Sequence, residues 1–220
     1  MQLKSHHSWT VSPQQAIRLQ EKLRIKIRLK KLNALPKFIA AADVAFKQKM
    51  AYGAVAVFSY PDLCLIETIQ KTATITFPYI PGLLTFREGP VLEKCFRALQ
   101  SDPQVIIFDG QGIAHPRNMG IATHFGILLN KATIGCAKSW LFGTYTEPPR
   151  RQGTFSLLID SNKRKIGAVL RTKDNVKPAF VSVGNRIDLE SSIKIILECC
   201  RGFRIPEPLR VVHQMTLQEK

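Results

Sequence analysis

Between residues 105 and 136 the chain reads as strand, helix, strand, and this stretch constrains the fold more than any other. Val105-Ile106-Ile107-Phe108 is a short continuous apolar run, Ile121 to Leu129 suggests a helix, and Ala132 to Cys136 is a second buried run. Two buried strands joined through a helix imply a parallel crossover, and with it an α/β architecture. Asp109-Gly110-Gln111-Gly112 ends the first run, at the carboxyl end of a strand, where open α/β sheets place their ligands.

The flanking segments extend this core into a mixed sheet. Phe38 to Phe46, Ala51 to Phe58 and Leu65 to Thr76 are three β-rich runs separated by turns, an antiparallel meander. Further strands are expected at Thr154 to Ile159, Ile166 to Arg171 and Ala179 to Val183. Helical spacing is expected at Gly89 to Leu99 and from Leu189 to Cys200. Ser12 and Pro13 suit an N-cap and first turn, and Ala16, Leu19, Leu23 and Ile27 predict a helix to about Lys31. The same stretch alternates strictly from Leu23 to Lys30, so a strand competes with the helix there. No repeat or composition shift divides residues 1–220, which read as one domain with its least ordered parts at the termini and in the loop Glu147 to Gln152.

Composition narrows the partners. The formal net charge is +16, a field that attracts polyanions, and nucleic acid is the leading candidate. No apolar stretch of roughly 18 residues suggests a membrane span. The opening residues lack the apolar core of a secretory signal, so a cytoplasmic location is the default expectation. Five cysteines without a CxxC pair predict neither a zinc site nor a disulfide framework.

Asp43 sits inside Ile39-Ala40-Ala41-Ala42-Asp43-Val44-Ala45-Phe46, where a carboxylate is costly unless something binds it. Asp109 repeats the pattern, and two acids on neighbouring central strands would face one point. Paired oxygen ligands suit Mg²⁺ or Mn²⁺. Glu88, in Phe86-Arg87-Glu88-Gly89-Pro90, would be a third acid at a helix start. The competing reading has Glu88 favouring the helix N-terminus and the aspartates satisfied by backbone amides.

Other residues carry two readings each. His115, in Gly112-Ile113-Ala114-His115-Pro116-Arg117, could contact phosphate or brace its loop, and Lys138 could stabilise charge on a phosphate or be an ordinary lysine after a strand. Tyr79, in Pro78-Tyr79-Ile80-Pro81-Gly82, could push between bases or pack on the sheet. Gly82, Gly110, Gly112 and Gly120 could bring backbone close to a flipped base or serve as turn glycines.

Taken in order and at these distances, Asp43-Val44-Ala45-Phe46, the run Pro78 to Pro90 and the run Asp109 to Arg117 closely resemble endonuclease V. Gly120 to Gly126, Thr133 to Ser139 and Pro206-Glu207-Pro208-Leu209-Arg210 extend the resemblance over about residues 12 to 214. It implies a ribonuclease H-like fold, Mg²⁺ dependence with Mn²⁺ as a substitute, and DNA repair cleavage 3′ to a deaminated base, chiefly hypoxanthine, one nucleotide beyond the lesion. By position, Asp43 and Asp109 resemble the metal ligands, while Glu88 and His213 resemble the residues completing the metal and water shell. Lys138 would meet the phosphate. The Pro78 to Pro81 loop, Ile80 included, would be a strand-separating wedge with Tyr79 at its tip, and Gly82, Gly110, Gly120, Ile121 and Leu141 would border the base pocket.

The chain departs from the family at Phe46, often a tyrosine, and at Val183-Gly184-Asn185-Arg186, which replaces a more usual Pro-Gly-His-Arg in what reads as a late loop. Two other functions compete with DNA repair: an inosine-specific ribonuclease on the same fold, and a nucleic-acid-binding module without catalysis. Retention of Asp43, Glu88 and Asp109 together argues against the second. A monomer is the simplest expectation.

Overall fold

The computed structural model describes residue 3 and residues 7–218. The meander consists of β1 (Phe38–Lys47), β2 (Met50–Ser59) and β3 (Leu65–Thr74); the remaining strands are β4 (Val105–Phe108), β5 (Ala132–Ala137), β6 (Phe155–Ile159), β7 (Lys165–Leu170) and β8 (Ala179–Asn185). They form one eight-stranded sheet in the order β3-β2-β1-β4-β5-β8-β7-β6. β1, β4 and β5 run parallel, and every other neighbouring pair is antiparallel. This is the mixed sheet that the strand, helix, strand reading demanded.

Among the described residues five helices flank it: α1 (Pro13–Arg24), α2 (Leu84–Ala98), α3 (Ile121–Leu129), α4 (Leu189–Glu198) and α5 (Glu207–Gln218). The two-residue period of a strand divides the core between them. Ala40, Ala42, Ile106 and Phe108 bury one sheet face with Leu92 and Phe96 of α2 and Phe125 of α3. Phe96, Phe108 and Phe125 lie 5.5 to 5.9 Å apart, ring to ring, and each buried aromatic contributes roughly 1.5–3 kcal/mol. Ile39, Ala41, Val105 and Ile107 bury the opposite face with Ile196 of α4 and Leu209 and Val212 of α5. An odd-numbered residue continuing β1 or β4 therefore points toward the α5 side.

Four expectations need correction. α1 ends at Arg24, not Lys31. Its start is fixed by a capping box, in which Ser12 accepts from the Gln15 amide and the Gln15 side chain accepts from the Ser12 amide at 2.8 Å. Beyond Arg24 the chain is irregular: the Arg28 amide donates to Asn185 Oδ1 at 2.9 Å and its carbonyl accepts from Arg186. Tertiary hydrogen bonding wins over helical propensity there. α2 begins at Leu84, so Glu88 stands one turn inside the helix, and Pro90 lies beyond it without ending it.

The late Val183 to Arg186 segment is not a loop through most of its length but the end of β8. Asn185 is 3% exposed and its amide nitrogen donates to the Gly126 carbonyl at 2.8 Å, so it ties α3 to the Arg28 segment. The C-terminal region is the helix α5. Residues 1, 2, 4–6, 219 and 220 lie outside the described residues, so the expectation of loose termini is settled only where α5 overrules it. The Glu147 to Gln152 loop is irregular but anchored, because the buried Arg171 donates to Glu147, Pro148 and Pro149. Among the described residues no helix is long and apolar enough to cross a membrane.

Candidate active site

Register brings the two aspartates together. β1 and β4 pair in parallel up to Ala42 opposite Phe108, and the Asp109 amide donates to the Ala42 carbonyl at 3.2 Å. Asp43 and Asp109 are the next residue of each, both on the odd-numbered face that α5 covers. α5 packs across β1 and β2, and its His213 supplies the third group. The His213 Nδ1–H donates to Asp43 Oδ2 at 2.7 Å, while Lys138 Nζ lies 2.5 Å from Asp109 Oδ2. Asp43, Asp109 and His213 each offer one ligand atom within 4.8 Å of the others.

Backbone amides do not account for these carboxylates. Asp43 accepts a single amide, from its neighbour Val44 at 2.8 Å. Burial raises the Asp43 carboxyl above its ordinary range, the negative charge of Asp109 raises it further, and His213 opposes both. Glu88, 8% exposed in α2, is pushed well above the ordinary range by burial and then by Asp43 and Asp109. Three acids within electrostatic reach of one another, two of them flanked by donors, form a site that a cation would relieve. The hard carboxylate oxygens of Asp43 and Asp109 fit Mg²⁺, and an added imidazole is tolerated by Mn²⁺.

Beside this cluster lies a cavity of about 320 Å³ that shares Asp109 and Lys138 with it. Tyr79, Ile80, Pro81 and Gly82 form one wall. Gly110, Gly120, Ile121 and Leu141 border the rest, with His115 at the Gly82 side; Pro78 is outside the lining. Tyr79 is 70% exposed, so it does not pack on the sheet. Gly82 adopts φ +79°, a left-handed conformation that favours glycine. A Cβ on Gly120 would lie 2.1 Å from the Gln111 carbonyl oxygen, so this glycine is demanded by close backbone contact.

The far end of the Tyr79 loop is pinned. The Gly82 carbonyl accepts from His115 Nε2 at 2.9 Å, Arg117 Nη2 at 2.9 Å and Gln20 Nε2 at 3.0 Å. His115 Nδ1 accepts from the Arg117 amide at 3.1 Å, so the ring is neutral with its proton on Nε2. Burial holds this histidine down at about 4, helped by the charge of Arg117 and opposed by the Gly82 bond. The geometry therefore makes His115 a brace for the loop.

A family model for endonuclease V matches residues 21–214. The chain belongs to the endonuclease V family. Endonuclease V of Methanothrix thermoacetophila is 44% identical over 218 residues, covering 99% of this chain and 96% of that relative. The crystal structure of Bacillus subtilis endonuclease V superposes with a TM-score of 0.92 at 30% identity, covering 99% of this chain and 96% of that one. Endonuclease V of Ciona intestinalis, solved in complex with a 24mer DNA containing an inosine followed by a ribo-adenosine, gives a TM-score of 0.83 at 26% identity over 94% of this chain and 96% of that one. Membership in endonuclease V makes the chain a nuclease, a hydrolase of phosphodiester bonds.

Within this endonuclease V scaffold, sequence reasoning missed Gln20 and Arg117 as partners of Gly82, and the pairing of Lys138 with Asp109. It also missed Trp140, which lines the cavity and donates its indole N–H to the Gly143 carbonyl at 2.9 Å. None of these contacts has a local spacing signal. α5 did have one, in Leu209, Val212 and Thr216, buried at helical intervals after a proline.

Proposed function

We propose that this protein is a Mg²⁺-dependent DNA repair endonuclease. It takes a deaminated base, chiefly hypoxanthine, into the cavity beside Tyr79 and nicks the strand at the second phosphodiester bond 3′ to the lesion. The observation that carries the proposal is the cavity's shared wall with Asp109 and Lys138: a flipped base there leaves its own strand lying across the carboxylates. The inosine in the DNA bound by the Ciona relative supports the choice of base.

Each residue then has a task. Asp43 and Asp109 would hold the metal, and His213 would orient Asp43 through its Nδ1–H. Bound there, Mg²⁺ supplies charge neutralisation at the phosphate and lowers the pKa of a water. Lys138, already beside Asp109, would pair with phosphate oxygen, and Glu88 would complete the water shell from α2. Tyr79 would fill the gap left by the extruded base, while Gly82, Gly110 and Gly120 let backbone approach it. Pro78 and Pro81 would stiffen that wedge, and Ile121 and Leu141 would close the pocket. The net positive charge would spread along the DNA backbone of a monomeric enzyme.

The test uses a duplex containing one deoxyinosine. A Mg²⁺-dependent nick one nucleotide beyond the lesion is expected, with an unmodified adenine duplex left intact; no nick from folded protein refutes the proposal. The ribo-adenosine following inosine in the Ciona complex favours a second reading, cleavage of strands carrying ribose next to inosine. Parallel DNA and RNA substrates decide between them.

A further inference from the structure

A second groove, about 310 Å³, adjoins the active centre at His213 and Lys138. It meets the base cavity at Lys138, and each pocket reaches the metal-ligand cluster through a different residue, the base cavity through Asp109 and this groove through His213. Its other walls come from Phe203 and Arg204 before α5 and from Leu209 and Arg210 on it.

The chemistry of these walls is that of a nucleotide site. Phe203 is 48% exposed, and the Arg210 guanidinium sits 3.5 Å from its ring centroid, covering one face and fixing the ring. Arg210 also contacts Glu207, which holds it in place while offsetting part of its charge. Arg204 is anchored by donating to the carbonyls of Lys138 and Pro178, the latter at 2.8 Å, and its Nε is buried without a hydrogen-bond partner among the described residues. Together with Lys138, the groove therefore presents three cations around one supported aromatic face. An exposed aromatic flanked by arginines is how strands are held without sequence preference, through base stacking and phosphate contacts.

We propose that this groove is the subsite for the nucleotide immediately beyond the scissile bond, with its base stacked on Phe203 and its phosphate facing Arg204 and Lys138. The assignment rests on the reading given under Proposed function: with the flipped base in the first cavity beside Asp109 and cleavage on its 3′ side, a strand that crosses the carboxylates to His213 enters this groove. It gives the enzyme a hold on both halves of the cut strand, one through the damaged base and one through an undamaged, sequence-independent neighbour.

The test measures binding of single-stranded inosine oligonucleotides to the full chain, with Ca²⁺ replacing Mg²⁺ to hold off cleavage. One strand ends at the nucleotide preceding the scissile bond; the other continues for six nucleotides. Wild type is expected to bind the longer strand about tenfold or more tightly, the effect of one base–aromatic stack. Phe203→Ala should lose about tenfold on the longer strand and stay within about twofold on the shorter, with Phe203→Trp restoring the difference. Phe203→Leu, which keeps apolar bulk without a stacking face, should behave as Phe203→Ala and guards against a folding defect. Wild-type affinity of Phe203→Leu for the longer strand, or equal loss on both strands, overturns the proposal. Repeating the series with adenine in place of hypoxanthine separates the two ideas: equal affinity for both bases sinks the reading of the first cavity, while the length dependence through Phe203 is read in either series.

Discussion

His115 ties the acid stability of this protein to the brace of its Tyr79 loop. Its Nδ1 accepts a backbone amide and its Nε2–H donates to Gly82, so the folded protein holds the ring neutral and its pKa down at about 4, against the ordinary value of 6.5. Because the folded value is depressed, the unfolded chain binds the proton first. Stability is therefore unaffected above about pH 6.5 and falls as the pH drops toward 4. Each unit is about 1.36 kcal/mol, so this ring removes about 2.5 kcal/mol between pH 7 and pH 4.5. His115→Gln keeps a donor for Gly82 but cannot titrate. It should cost about 1–2 kcal/mol at pH 7 from the unmet Arg117 amide, and the deficit should close or reverse by pH 4.5. Urea unfolding of both proteins in EDTA at several pH values measures this. A constant offset between wild type and variant from pH 7 to 4.5 would refute the reasoning.

Gly120→Ala places a Cβ 2.1 Å from the Gln111 carbonyl and should cost about 3 kcal/mol, lowering the melting temperature by roughly 5–10 °C in calorimetry. Tyr79→Ala, at a 70% exposed position, should leave stability within about 0.5 kcal/mol while weakening deoxyinosine duplex binding about tenfold by fluorescence anisotropy. Mg²⁺ at a hundred times its dissociation constant should stabilise the wild type by about 2.7 kcal/mol in thermal unfolding, and Asp109→Asn should lose most of that gain.

The parts of this site that were legible in the sequence are those set by strand geometry. A carboxylate in an apolar strand announces Asp43, and a carboxylate at a buried strand's end announces Asp109; parallel register then makes them neighbours. What the sequence hid depends on contacts between distant segments. Only the family resemblance marks His213 and Lys138 in the sequence; their contacts with Asp43 and Asp109 exist only once α5 folds across β1 and the end of β5 comes beside β4. From Ile25 to Lys30 neither the helical nor the strand reading holds, because Arg28 bonds across 157 residues to Asn185, an interaction that no local pattern encodes. Glu88 lies one turn deeper than the helical spacing from Gly89 implies, because α2 begins at Leu84 and accommodates Pro90.

In the proposed enzyme, Asp43 and Asp109 jointly hold a divalent ion at the edge of the base cavity. Crystals of the protein with an inosine-containing strand and Mn²⁺, measured for anomalous scattering at the manganese edge, test it most directly. The expected result is a peak bound by one oxygen from each aspartate, on the α5 side of the sheet beside His213. A manganese peak elsewhere, with both carboxylates still engaged by His213 and Lys138 alone, would contradict it.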